Sequence, residues 1–188
     1  MAELHIIGEL VGATNFKYND LFCMYSMNKG RHWTHVSGQE RGQTQVDARG
    51  QDQMNVWAHP IDLHYSTSVC VGWPKIVLQV WYQDEYSRND FAGYGIVNIP
   101  TQSGTFDLQC EIWRPVGSIK DRIMEMFLGG TSQLKDESIV WSGEDRRKLT
   151  TMTVGTVHLH LNILLRNFSK YGVQTTAMYK PDVNLINS

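Results

Sequence analysis

Cysteine is scarce in this chain, and its spacing rules out two common uses. Cys23, Cys70 and Cys110 stand far apart with no C-x-x-C pair, which fits neither a disulfide framework nor a structural zinc site built on paired thiolates. A reducing, cytosolic compartment is the expectation. Long apolar runs are also missing. The longest uncharged apolar stretch, 154–165, includes two histidines and an asparagine and falls short of the roughly 20 apolar residues a helix needs to cross a bilayer. Met1-Ala2-Glu3-Leu4-His5 carries an acid where a secretory leader carries base, and no apolar segment follows, so secretion is not expected. Ala2 in place of glycine excludes N-myristoylation, and Ile186-Asn187-Ser188 lacks a prenylation cysteine; any membrane contact is expected to be peripheral.

Positive charge is not in excess. Seventeen Lys and Arg residues against 19 Asp and Glu leave a net charge of -2, which disfavours a nucleic-acid partner held by phosphate neutralisation. Arg146-Arg147-Lys148 follows Glu144 and Asp145 directly and reads as a solvated turn with local ion pairs. Catalytic signatures are absent: there is no G-x-S-x-G, no phosphate-binding G-x-x-x-x-G-K-[ST] and no H-E-x-x-H, and Gly93-Tyr94-Gly95 lacks a third glycine. His59 with His64, His32 with His35, and His158 with His160 form spaced pairs without a third ligand and read as structural. Neither enzymatic activity nor a cofactor is expected.

What the chain does have is strands. Ile76 to Tyr82 is a near-continuous apolar and aromatic run behind Pro74, the pattern of a central strand buried on both faces. A polar turn, Gln83 to Asp90, follows. Phe91 to Ile99 then returns with Gly93 and Gly95 in alternation, as where a strand bends or another backbone comes close. Around this unit, Glu3 to Val11 reads as a first strand. Leu21 to Met27 and Arg31 to Val36 read as a hairpin turned at Asn28-Lys29-Gly30, with glycine supplying positive φ. Thr44-Gln45-Val46 is an edge strand or a long loop, and Pro60 demotes part of Val56 to Tyr65 to an edge or a bulge. Gly104 to Trp113 alternates. Arg146 to Val154 and Thr156 to Arg166 are two strands joined at Gly155, the second directing Val157, Leu159, Leu161 and Ile163 inward. Ser118 with Asp121, an apolar set at Ile119, Ile123, Met126 and Phe127, and the stop Gly129-Gly130 predict one short helix.

Together these predict an all-β fold: an antiparallel sandwich of about eight strands with one short helix. The length of 188 residues supports one sizeable core, with a domain expected over residues 1–173 and a disordered tail over 174–188. Most of the six tryptophans, at 33, 57, 73, 81, 113 and 141, are expected in the core; one or two left exposed on an edge would suit a protein, peptide or carbohydrate partner.

The segment from Val80 to Gly93 resembles the third calcium-binding loop of C2 domains, the Ca²⁺- and phospholipid-binding β-sandwiches, whose pattern is V-[FW]-D-x-D-x-[FY]-x-x-x-D-x-[IF]-G. Asp84 and Asp90 occupy the second and third aspartate positions, and Tyr82 stands where the first is expected. In the first loop Asp20 is kept, while Thr14 replaces another aspartate. Ca²⁺ takes six to eight oxygen ligands, so a site short of two carboxylates is weakened. The resemblance thus implies a C2-like shape with a degraded metal site that retains Asp20, Asp84 and Asp90, and no bound metal; a Ca²⁺-regulated peripheral membrane module is the alternative function.

A narrower resemblance rests on Gly42-Gln43-Thr44-Gln45-Val46-Asp47, Trp57-Ala58-His59-Pro60-Ile61-Asp62-Leu63-His64-Tyr65, Gly72-Trp73-Pro74, Trp113-Arg114-Pro115, Gly155-Thr156-Val157-His158-Leu159 and Leu164-Leu165-Arg166-Asn167-Phe168. From about Glu3 to Val173 the chain resembles the B9-domain family, itself C2-like. That resemblance implies a non-enzymatic component of the ciliary transition zone and basal body, in the Meckel/tectonic complex that gates the cilium. The implied partners are B9 domain-containing protein 1 and the Meckel syndrome type 1 protein.

Overall fold

The computed structural model describes residues 1–50, 54–116 and 150–171. Ten strands run through them: β1 (Ala2–Thr14), β2 (Asp20–Asn28), β3 (Trp33–Gly38), β4 (Arg41–Gln43), β5 (Asp47–Ala48), β6 (Met54–Thr67), β7 (Lys75–Gln83), β8 (Asn89–Asn98), β9 (Gly104–Pro115) and β10 (Thr151–Arg166). The order is β3-β6-β1-β10-β9-β8-β7-β2-β4, with β5 also on β2, and every ladder of two or more residue pairs is antiparallel. The predicted all-β antiparallel class is therefore the observed one. The two strands beyond the expected eight are the short β4 and β5. The predicted helix at Ser118 to Phe127, the basic run at 146–148, Trp141 and the tail from 174 lie outside the described residues. No helix among the described residues is long and apolar enough to cross a membrane.

The single path of strands folds into two facing halves because β8 and β9 meet at only one pair, Tyr94 opposite Trp113. Leu4, Ile6 and Leu10 of β1, Ile61 and Leu63 of β6, and Leu159 and Leu161 of β10 pack in one core with Leu21 and Cys23 of β2 and Ile76, Leu78 and Val80 of β7. The period-two alternation of each strand supplies these side chains, and each fully buried Leu or Ile contributes about 1.5–3 kcal/mol. A cross-half hydrogen bond adds direction: the buried Trp57 Nε1 donates to the Leu21 carbonyl at 3.1 Å.

β7 lies between β2 and β8 and puts apolar side chains on both faces, as its near-continuous run predicts, with the half-buried Gln79 the one polar interruption between Ile76 and Tyr82. Ile76, Leu78 and Val80 enter the main core. Val77 turns the other way into a second cluster with Phe91, Tyr94 and Trp113, against which Trp81 and Ile96 pack. The glycines of β8 belong to the core face. A Cβ on Gly95 would stand 2.5 Å from Ile112 Cδ1 and 2.7 Å from Cys110 Sγ, and one on Gly93 would stand 2.8 Å from the Trp113 carbonyl oxygen. Their hydrogens let β9 of the opposite half press onto β8 beside the one pair that joins the halves.

Two expectations are corrected. β2 and β3 form no hairpin, because β3 pairs with β6 in the other half. The Asn28-Lys29-Gly30 segment is a crossover, drawn across by Trp33, which packs edge-on against Trp73 with centroids 5.0 Å apart and also contacts Phe168. Gly30 is needed for close approach rather than positive φ: its amide donates to the Gly72 carbonyl at 2.8 Å, and a Cβ would lie 2.8 Å from Gly72 Cα. Gly155 joins nothing, since β10 runs unbroken through it, paired with Ile112 of β9 just after a bulge at Val154, with the Phe16 ring covering the position a Cβ would take. Of the two readings of Thr44 to Val46, an edge strand or a loop, the loop is the observed one; the edge strand is β4 just before it, and the buried Thr44 hydroxyl accepts from the Cys23 amide at 3.0 Å. Pro60 does lie at an edge, where β6 runs past the end of β3 at Leu63.

The corner after β3 is pinned by Glu40, which bonds the Lys29 ammonium and accepts from the Tyr65 hydroxyl at 3.0 Å. Burial alone would raise the Glu40 carboxyl, but the Lys29 and Tyr65 hydrogen bonds and the Lys29 charge outweigh it and hold it below the usual range. The contribution is therefore complete above the ordinary glutamate value of about 4.3 and fades as pH falls through the lowered folded value. Glu40→Gln should flatten that part of the acid limb in urea unfolding followed against pH. Gly95→Ala should destabilise the chain by about 1–3 kcal/mol at neutral pH, as overpacking in a filled core does, with the urea midpoint as the readout.

Candidate functional site

The two loops whose sequence resembles a calcium site do come together at one end of the sandwich. Lys17, Tyr18, Asn19 and Asp20 face Tyr82, Gln83, Asp84, Glu85 and Tyr86 across a cleft of about 450 Å³. The aspartates do not converge in it. Among the described residues, the one group of three or more His, Cys, Asp or Glu side chains close enough to share an ion is Glu3, His5 and His64, on a different part of the fold.

Each loop is tied by contacts within the chain. Asp84 uses both carboxylate oxygens: Oδ1 accepts from the amides of Tyr86 at 2.8 Å and Arg88 at 2.9 Å, and Oδ2 accepts from Arg88 Nε at 2.8 Å and pairs with Nη2 at 2.7 Å. Both guanidinium nitrogens converge on the one oxygen Oδ2, a charge-assisted contact that leaves Oδ1 to the loop amides. The Arg88 amide and then its side chain hold the Asp84 carboxyl below the usual range, helped by the Tyr86 amide. The turn between them closes through Ser87, whose amide donates to the Asp84 carbonyl at 2.9 Å and whose φ is +59°, a left-handed conformation that side chains other than glycine and asparagine seldom adopt.

Tyr82, standing where an aspartate is expected, fills the space between the loops with a ring. It stacks on Tyr18 at 3.6 Å between centroids, and its hydroxyl donates to Asp90 Oδ2 at 2.9 Å. Burial, followed by hydrogen bonds to Tyr18 and Asp90, pushes the Tyr82 phenol up, so it stays a neutral donor. Asp90 Oδ1 also accepts from the Phe91 amide at 2.8 Å. Thr14, the other replaced position, points to β10, where its hydroxyl meets His158 Nε2 at 2.8 Å. Asp20 is half-buried at the start of β2, opposite Ala48.

The first loop is held by residues that sequence reading did not single out. Arg49 donates to the Phe16 carbonyl at 3.0 Å and to Asn19 Oδ1 at 2.9 Å. The buried Asn55 side chain donates to the carbonyls of Asn19 and Asp47, the latter at 2.7 Å. No spacing rule links Arg49 to a loop 30 residues earlier; the link appears only once β5 is laid beside β2. Trp33, Trp57 and Trp113 are buried and Trp73 and Trp81 partly so, each of the last two packed against a core cluster.

A family model described as "Ciliary basal body-associated, B9 protein" and labelled B9-C2 matches residues 4–164. The chain belongs to the B9 family. B9 domain-containing protein 2 of Danio rerio is 49% identical over 175 residues, covering 93% of this chain and 100% of that protein. The Homo sapiens protein of the same name is 45% identical over 174 residues, with 93% and 99% covered. B9 domain-containing protein 1 of Xenopus laevis is 27% identical over 186 residues, with 97% and 94% covered. Among solved structures, the C2A domain of a plant Extended Synaptotagmin 1 is 10% identical at a TM-score of 0.42, over 86% of this chain and 93% of that one.

In this B9 domain, Arg88 is the hinge of the third-loop geometry. Arg88→Gln should return the Asp84 carboxyl toward its ordinary value, seen as an upward shift of its titration by NMR. The sign follows from the lowered folded value: the pairing is present above the ordinary aspartate range and is lost as pH falls through the lowered one.

Proposed function

We propose that this B9 domain is a non-enzymatic binding component of the ciliary transition zone, within the Meckel/tectonic complex, with B9 domain-containing protein 1 and the Meckel syndrome type 1 protein as direct partners. The observation that carries the reading is Asp84, whose carboxylate is saturated by Arg88 and two loop amides. A C2-type loop that supplies its own cation has no need of Ca²⁺ to become ordered, so its shape is constant and suited to a scaffold. Membership of a family described as ciliary basal body-associated supports the location. The likeness to B9 domain-containing protein 1 supports the idea that related domains pack together.

The surface best suited to such packing is an edge. β3 ends one half, and Thr34 to Gly38 are exposed along it, with Val36 51% exposed. An unpaired strand edge binds another chain through main-chain hydrogen bonds. A tagged full-length protein is expected to co-purify both named partners from ciliated cells, and Val36→Pro, which removes a backbone donor, is expected to reduce that recovery. Recovery of neither partner by the unsubstituted protein sinks the proposal. Calorimetry with millimolar Ca²⁺ and anionic liposomes addresses the membrane-binding alternative; saturable heat that disappears in Asp84→Asn would favour it instead.

A further inference from the structure

The outer face of β1 and β6 carries a cluster unrelated to the loops. His5 and His64 are directly opposed across the two strands, and Glu3 lies two residues before His5 on the same face. All three point away from the core, since their neighbours Leu4, Ile6, Leu63 and Tyr65 are fully buried. The imidazoles stack with centroids 3.9 Å apart and planes 17° from parallel. One ligand atom from each residue falls within 4.8 Å of the other two. His64 Nε2 is buried and has no hydrogen-bond partner, and it stands 3.9 Å from Glu3 Oε2, too far for a hydrogen bond. A buried ring nitrogen left unpaired is uncommon and calls for a reason.

We propose that Glu3, His5 and His64 form a three-ligand site for a zinc-class divalent transition-metal ion. Two imidazoles and one carboxylate are a donor set that such ions prefer, whereas Ca²⁺ prefers oxygen alone. Two ligand atoms at about 2.1 Å from one tetrahedral ion stand about 3.4 Å apart, so the His64–Glu3 gap needs to close only by a fraction of an ångström. The two rings must open from their stack for their nitrogens to converge; both are only half-buried on the sheet surface. One cation competes: Arg166 Nη1 lies 3.4 Å from Glu3 Oε2, but its side chain is 73% exposed and free to swing away. The ion would clip β1 to β6 and keep one coordination position open to water or to a donor from another protein.

The test is titration of the full-length, metal-stripped protein with Zn²⁺ by calorimetry and with Co²⁺ by visible absorption. One equivalent is expected to bind and give tetrahedral-type Co²⁺ bands. His64→Gln and Glu3→Gln should each weaken binding at least tenfold, and Arg166→Ala should strengthen it several-fold by freeing Glu3. His160→Gln, at the separate pair with Asp107, should leave it unchanged, with circular dichroism in chelator confirming that every variant is folded. Absence of a saturable single equivalent, or affinity that survives His64→Gln and Glu3→Gln in folded variants, overturns the proposal.

Discussion

The structure depends on how closely β8 and β9 approach at a single pair. Tyr94 and Trp113 are the one point where the two halves of the strand order connect, and the glycines on either side of Tyr94 leave no Cβ to hold β9 away. Were β8 to carry ordinary side chains there, β9 would stand off by the thickness of a methyl group and the halves would splay. The near-continuous apolar run of β7 follows from the same geometry. Its inner face lies against the core, and on its outer face Val77 and Trp81 join Phe91, Tyr94 and Trp113, leaving Lys75, Gln79 and Gln83 as half-buried polar positions between them.

The tip of the sandwich shows how the carboxylates of a C2-type loop can be satisfied by groups of the same chain. A calcium-type loop is a group of carboxylates that repel one another until a cation arrives. Here the repulsion is removed within the chain: Arg88 neutralises Asp84, Tyr82 offers Asp90 a neutral hydroxyl, and Arg49 ties down the neighbouring loop. A fixed guanidinium differs from a diffusible ion in being always present at its effective concentration. On the proposed function, a tip held by such internal contacts would keep its shape at any Ca²⁺ level.

How much of this was legible in the residues depended on the range of the interaction. Period-two patterns show at short range, so β7, β9 and the β10 alternation were readable, as was the close approach at Gly93 and Gly95. The carboxylate spacing from Asp84 to Asp90 was also visible. What that spacing hid was the role of Arg88, because a charge inside an acidic loop reads as solvated until its geometry is known. The crossover from β2 to β3 was misread because a turn-forming glycine between two strand patterns is equally consistent with a hairpin; the choice was made by Trp33 packing on Trp73, 40 residues away in sequence terms. His5 was passed over for a similar reason. Its partner His64 is adjacent only through the register of β1 on β6, and nothing local marks it.

The pairing of β1 with β10 sets a timing problem for the cell. Glu3 lies opposite Arg166, and the register continues to Thr14 opposite Thr156, so the first strand made waits for nearly the last. At ordinary synthesis rates that gap lasts roughly 10–30 s. Throughout it, the flank of β1 that faces β10 has no partner strand, since β6 occupies only the other flank. Nascent chains of this protein should therefore lean on ribosome-associated chaperones, and a premature stop anywhere before β10 would release a product that cannot close its own sheet.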